Sequence, residues 1–293
     1  MSNELPFTGE RFIPGVQGEI WLEHWHRYLF AARWASGRRV LDVACGEGYG
    51  SALLARSAAH VTGVDVSEQA IAHARAAYAA QQNLEFVAAS CTRMPLPDAA
   101  FDVVVSFETI EHIEAQEAFL DEIARVLAPG GVLVLSCPNK VEYSDKRDYR
   151  NEFHVRELYR DELERMVARR FPEIAWHGQR PTFYSVIAPE GAAGAGELFE
   201  AVKDAPGEAA RQLSAPLYYL LVAGRTRAAI EAVAAPVSVL ADRDDFLYHD
   251  YGKVIRELRA ATARVAELEG ASAAAKPARW WELALRRFGI LKR

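Results

Sequence analysis

A chain of 293 residues, 51% apolar and 25% charged, has room for one large globular domain with appendages and the ordinary composition of one. Cys45, Cys91 and Cys137 are too few and too scattered for a disulfide frame or a zinc cluster; Met1-Ser2-Asn3-Glu4 has neither the basic start nor the apolar core of a secretory leader, so a reducing cytoplasm is expected. Residues 246–293 hold ten Lys/Arg against five Asp/Glu within a net charge of −6, and the acidic remainder argues against nucleic acid as the main partner.

In chain order, residues 1–14 read as irregular. Glu19 to Ala35 reads as a helix, with Ile20, Trp21, Trp25, Tyr28, Leu29 and Ala32 on its apolar face and Glu23, His24, Arg27 and Arg33 on the other. The apolar run ending at Val43 reads as a buried strand, and Gly46, Gly48 and Gly50 follow it at alternate positions before a helix over Ser51–Arg56. A strand, a glycine turn and a helix bring backbone close to a nucleotide-like ligand at the strand ends of an open α/β sheet. The next strand, His60 to Ser67, carries Asp65 near its end, 23 residues after Asp42, where a carboxylate can accept both hydroxyls of a ribose. The glycines do not match G-x-G-x-x-G, and Glu47 between the first two would repel a pyrophosphate but suits a ligand carrying positive charge.

These stretches resemble class I S-adenosylmethionine-dependent methyltransferases: residues 40–50, 61–67 and 126–139 look like the family's first, second and later motifs. The resemblance implies a Rossmann-like, seven-stranded, mostly parallel sheet with helices on both faces. It also implies cofactor contacts from Asp42, Ala44, Gly46, Glu47, Gly48, Gly50, Asp65, Val66 and Phe107. Arg27 or Tyr28, from an N-terminal lid over residues 1–36, would reach the methionine carboxylate. Many relatives bind adenine with an aspartate after the third strand; here Cys91 and Thr92 stand there, so backbone amides would read the ring. A nicotinamide-binding or ligand-free α/β domain is the alternative.

Further along, a helix is expected over Glu68–Ala80, strands over Leu84–Ala88, Phe101–Ser106 and Val132–Cys137, and a helix over Gln116–Leu127 stopped by Pro129-Gly130-Gly131. Residues 140–160 read as a polar substrate-covering loop, Glu157–Arg170 as a helix, and Gly178–Ala188 with Ala215–Gly224 as a closing antiparallel pair of strands. The glycine-alanine run over 191–196 reads as a flexible tip.

Methyl transfer to an alcohol needs alignment and a base or metal to take up the hydroxyl proton. Glu108-x-x-Glu111-His112, with Pro138-Asn139, Glu142-Tyr143 and His154 downstream, is similar to the divalent-metal site (Mg or Mn) of ubiquinone-pathway O-methyltransferases and small-RNA 2′-O-methyltransferases. By that resemblance Glu108, Glu111, His112 and His154 are ligands. Alternatively His112 or His154 is a metal-free base with the glutamates placing substrate, or the group only stabilises a helix start.

Gly9 to Pro14, Glu23 to Tyr28 and Ser106 to His112 together resemble bacterial methyltransferases of surface-polysaccharide and O-antigen assembly, over about residues 7–250. That implies a glycan, nucleotide-sugar or lipid-linked sugar as acceptor, with methylation capping chain growth. A small-molecule O- or N-methyltransferase (quinone, polyketide or antibiotic sugar) and a non-catalytic cofactor-binding scaffold are the alternatives.

The methyltransferase domain is expected over 37–245. Leu247, Tyr251, Val254, Leu258, Ala261, Val265 and Leu268 then form a heptad seam over 246–270, fit to pair two copies or to fold back on the body. Ala271 to Pro277 reads as a linker. The basic aromatic stretch over 278–293 reads as a helix for an inner-membrane surface or a glycosyltransferase complex, or as a cover for its own subunit.

Overall fold

The computed structural model describes residues 19–182, 198–200, 208–210, 213, 215–231, 238–240, 246–274 and 287. The chain divides into two units, Met1–Ala241 and Asp242–Arg293.

In the first unit, residues 40–43, 61–65, 103–107 and 132–138 are buried throughout, the pattern of strands covered on both faces. The strands are β1 (Arg39–Val43), β2 (His60–Asp65), β3 (Leu84–Ala88), β4 (Phe101–Phe107), β5 (Leu127–Pro138), β6 (Glu173–Gln179) and β9 (Tyr218–Gly224). They form one seven-stranded sheet in the order β3-β2-β1-β4-β5-β9-β6. All neighbours pair in parallel except β9, which runs antiparallel to both β5 and β6. A small antiparallel pair, β7 (Leu198–Glu200) and β8 (Glu208–Ala210), stands beside it in the sequence.

Alternation along the strands splits the core in two. Val103, Val105, Val132 and Val134 pack with α1 (Glu19–Ala35) and α2 (Tyr49–Leu54), through Phe30, Trp34, Leu53 and Leu54. Val104, Leu133 and Leu135 pack with α4 (Gln116–Val126) and α6 (Arg160–Ala168), through Phe119, Ile123, Leu163 and Val167. Between β2 and β3 runs α3 (Glu68–Ala77), whose N-cap Ser67 accepts from the Ala70 amide at 3.2 Å. The short α5 (Lys140–Tyr143) follows β5, α7 (Arg227–Glu231) follows β9, and α8 (Phe246–Ala274) belongs to the second unit.

Several boundaries differ from expectation. Gly50 lies inside α2, which starts at Tyr49. Pro129-Gly130-Gly131 does not precede β5 but lies within it, because Leu127 already pairs with Phe101 before a register shift restores Val103 opposite Val132. The strand that pairs with β9 at the sheet's edge is Glu173–Gln179, upstream of the expected Gly178–Ala188, and its register with β9 runs from Glu173–Gly224 to Gln179–Tyr218. Residues 183–188 and the 191–196 tip lie outside the described residues, as do 1–18 and, apart from Arg287, the basic stretch from 275. The 140–160 loop holds α5 and a 3-10 turn over Asp145–Arg147. Helix α8 continues to Ala274, through most of the expected linker. Among the described residues no helix is long and apolar enough to cross a membrane.

Helix α1 packs most of its expected apolar face on the core, through Ile20, Trp21, Trp25, Tyr28 and Ala32, but buries more than that face. Arg27 is 1% exposed and Glu23 is buried, whereas Leu29 is 44% exposed. The helix is a core element of the first unit, packed on α2 and the sheet, and the expected boundary at residue 36 divides what packing joins.

Candidate active site

The strand order reverses between β1 and β4, and the carboxyl ends of these two strands therefore open a crevice. One wall is the turn after β1. Its backbone takes positive φ at Ala44 (63°), Gly46 (58°) and Gly48 (85°), a path that an alanine follows only under strain. Asp65 ends β2 beside it. One of its oxygens accepts the Gly46 amide at 2.9 Å and the other the Ser67 amide at 2.8 Å, which aims the carboxylate at the turn.

Two glycines answer to packing as well as to a ligand. A Cβ on Gly50 would fall 2.0 Å from the Tyr28 ring, and one on Gly48 would fall 2.5 Å from the Phe86 ring. Tyr28 in turn stands edge-on to Phe107 and Tyr49, and its hydroxyl reaches both oxygens of Asp42 at 3.2 Å. Ser51 donates to Asp42 at 2.6 Å, yet complete burial pushes the Asp42 carboxyl up to about 7. Glu47 faces His73 at 3.1 Å. Val66 is exposed; Cys91 and Thr92 follow β3 in a tight Ser90–Arg93 bridge. Burial raises the Cys91 thiol to about 11, so it is protonated at neutral pH.

Across the crevice, β4 runs into the Glu108–His112 segment. Of the four expected ligands the structure brings three together: single ligand atoms of Glu111, His112 and His154 lie within 4.8 Å of one another. Glu111 is 1% exposed, and neither of its carboxylate oxygens has a hydrogen-bond partner. Burial and the nearby Glu108 hold its carboxyl well above the usual range. His112 Nδ1 lies 3.0 Å from the Phe153 carbonyl, which only accepts, so the proton sits on Nδ1 and Nε2 faces Glu111 at 3.9 Å. His154 arrives on the loop, which docks through the Val155 and Arg156 amides on the Glu111 carbonyl at 2.9 and 3.0 Å.

Glu108 does not join this group. It takes φ of 47°, accepts from Ser136 Oγ at 2.6 Å, and lies 3.6 Å from Arg27. Arg27 donates through Nε to Gln179 at 2.7 Å and stacks 4.4 Å over the Tyr218 ring, while both terminal nitrogens lack hydrogen-bond partners. Tyr218 donates to Glu23 at 3.0 Å, and burial raises Glu23 to about 7. Gln179, Tyr218 and Glu23 escape sequence reading because they come from β6, β9 and the supposed outer face of α1. The i, i+4 spacing of Glu23 and Arg27 is the one local signal.

Next to this cluster opens a cleft of about 550 Å³ lined by Glu19, Ile20, Glu23, Tyr143, Arg147, Tyr149, Leu217 and Tyr218. Tyr143 joins the two regions, stacking on His154 at 5.6 Å and tilting against Tyr218 at 5.9 Å.

Residues 41–135 match the family model described as a methyltransferase domain. The chain is 42% identical over 170 residues to a probable S-adenosylmethionine-dependent methyltransferase of Mycolicibacterium smegmatis, a match covering 57% of this chain and 65% of that protein, just under two thirds of its length. It is 37% identical over 120 residues to a ubiquinone biosynthesis O-methyltransferase of Maricaulis maris, covering 39% and 46%. A chain of the complex between the Haloferax volcanii Trm112 methyltransferase activator and a methyltransferase shares the fold, with a TM-score of 0.50 at 20% identity over 69% of this chain and 89% of that one. Sheet order and the shared structure agree on a class I methyltransferase fold.

Proposed function

We propose that this chain, with its class I methyltransferase domain, transfers a methyl group from S-adenosylmethionine to a hydroxyl of a small cyclic acceptor, with a divalent cation held by Glu111, His112 and His154. One observation carries the reading: a buried carboxylate without a hydrogen-bond partner faces two imidazoles at the carboxyl end of β4, beside the glycine turn. A carboxylate and two histidine nitrogens suit a cation such as Mn²⁺ or Mg²⁺. Bound there, the cation would polarise an acceptor hydroxyl and lower its pKa.

The chain's own residues supply the rest. Asp65 is aimed to take the ribose hydroxyls. The terminal nitrogens of Arg27, without hydrogen-bond partners though beside Glu108, suit the methionine carboxylate, and Asp42, clasped by Tyr28 and Ser51, offers an acceptor toward the cofactor's charged groups. Tyr143 and Tyr218 wall the cleft that would hold and orient the acceptor. The M. maris relative, by name a ubiquinone biosynthesis O-methyltransferase, supports a small-molecule ring as acceptor.

A sugar hydroxyl, as in surface-polysaccharide assembly, is the second reading. The cleft favours it: tyrosine faces stack on the C–H face of a pyranose, and Glu19, Glu23 and Arg147 can bind its other hydroxyls.

Titration calorimetry with S-adenosylmethionine tests the cofactor. Wild type should bind in the micromolar range and Asp65→Ala should not, with circular dichroism checking its fold. Turnover with a dihydroxy aromatic and with a glycoside then tests the acceptor. Loss on chelation and recovery with Mn²⁺ or Mg²⁺ supports the cation; full turnover in chelator overturns it.

A further inference from the structure

An unbroken hydrogen-bonded line runs through the loop that carries His154. His112 Nδ1 donates to Phe153 O at 3.0 Å, and Phe153 N donates to Asn151 Oδ1 at 3.0 Å. Asn151 Nδ2 lies 3.1 Å from His154 Nε2, His154 Nδ1 lies 2.6 Å from Glu157 Oε1, and Ser144 Oγ donates to Glu157 Oε2 at 2.6 Å. The directions along this line are forced. A carboxylate accepts, so His154 carries its proton on Nδ1. The Asn151 oxygen is engaged by the Phe153 amide, so its NH₂ faces His154, and Nε2 must accept. A doubly protonated ring would set N–H against N–H. The contact is interior, with His154 and Glu157 side chains 7% and 8% exposed.

We propose that Glu157 is the positioning residue that fixes His154 in its Nδ1–H form, and that Asn151 competes with the cation for the His154 Nε2 lone pair. This rests on the reading that Glu111, His112 and His154 hold a divalent cation. An imidazole ligand offers one lone pair, and the partner of its other nitrogen sets which one and how basic it is. Glu157, itself held by Ser144, supplies that partner. Asn151 donates to the nitrogen so prepared, and the ring coordinates only after the amide withdraws. Asn151 is tied through Phe153 to His112, so its withdrawal also loosens the tether on the second imidazole. The two residues act in opposite directions through one atom, and neither lies in the ligand cluster itself.

The test is Mn²⁺ titration of the full-length protein by calorimetry, with thermal melts as a folding control. Glu157→Leu should weaken Mn²⁺ binding by about 10- to 100-fold. Asn151→Ala should tighten it several-fold. Glu157→Gln, which keeps an acceptor without the charge, should fall between wild type and Glu157→Leu. Two-bond ¹⁵N–¹H spectra of histidine-labelled, metal-free protein give a second readout: His154 should show one tautomer in wild type and Glu157→Gln, and a mixture in Glu157→Leu. Opposite shifts in Mn²⁺ affinity with little change in melting support the proposal. Equal weakening in both variants, tracking lost stability, overturns it. If wild type binds no Mn²⁺, the cation reading fails and Asn151 has nothing to compete with; the tautomer spectra still decide whether Glu157 positions His154.

Discussion

Arg27 and Glu108 face each other at 3.6 Å at the carboxyl end of β4, the cation 1% exposed. The contact explains why E-x-x-E-H does not close as one four-ligand set. The left-handed backbone at Glu108 and the Ser136 hydroxyl hold that carboxylate toward Arg27, and Glu111 alone is left to the histidines. One glutamate answers the buried cation. The other faces the imidazoles with no hydrogen-bond donor.

Removing Arg27 should be costly. Arg27→Leu strands Glu108 and Glu23 in the interior, and breaking a buried ion pair from one side typically costs about 3–5 kcal/mol. Arg27→Lys should recover only part of that, because an ammonium loses the Nε bond to Gln179 and the planar stack on Tyr218. Urea denaturation should rank wild type above Arg27→Lys and both above Arg27→Leu. Wild-type stability in Arg27→Leu would show that the pair contributes nothing.

Two substitutions in the first turn should act with opposite sign. Gly50→Ala places a methyl 2.0 Å from the Tyr28 ring, and such overpacking costs about 1–3 kcal/mol. It should also weaken cofactor binding, since Tyr28 is what reaches Asp42. Ala44→Gly relieves a left-handed alanine worth about 1–2 kcal/mol, offset by roughly 0.5–1 kcal/mol of added chain entropy. A small net gain is expected. Paired melts and S-adenosylmethionine titrations read both effects; a stabilised Gly50→Ala would mean that Tyr28 has room to move.

Legibility in the sequence followed how local the cause was. The strands of the parallel half could be read because burial on both faces writes a mostly apolar run that leads into the crevice, as at Val43, Asp65 and Phe107. Helix α1 was readable in extent and in most of its apolar face, but not in the burial of Arg27 and Glu23, because these are satisfied by Gln179, Tyr218 and Glu108, which lie far away in sequence. The edge strand Glu173–Gln179 has no residue fully buried, so its register on β9, not its composition, defines it. Spacing and resemblance singled out Glu111, His112 and His154, and the fold brings these three together. The departure of Glu108 was not legible, since a backbone φ of 47° leaves no mark in the sequence.

Stability should depend on pH through Asp42. Burial raises its carboxyl from 3.8 to about 7 in the folded chain. Between about pH 4 and 7 the folded state keeps a proton that the unfolded state has released, so this group's contribution falls as pH rises through that window and stays low above it. Asp42→Asn carries no such proton. Its stability relative to wild type should therefore improve from pH 5 to pH 8, whatever its absolute value. A flat difference across that range would place the Asp42 carboxyl at its ordinary value.

Helix α8 should pair with a second copy. Val254, Leu258, Val265 and Leu268 are each more than half exposed and fall on the 3-4 seam that also holds Tyr251 and Ala261. A helix of 29 residues is about 44 Å long, enough for a seam of three heptads. An apolar stripe exposed to water gains by burial against its own kind, and Arg264 and Glu267, paired with each other, flank the seam without closing it. Leu258→Lys places a charge at its centre and should raise the dissociation constant at least about tenfold, roughly 1.4 kcal/mol. Light scattering at micromolar concentrations should find wild type dimeric and the variant largely monomeric, with S-adenosylmethionine binding unchanged. A monomeric wild type would leave the stripe to another partner.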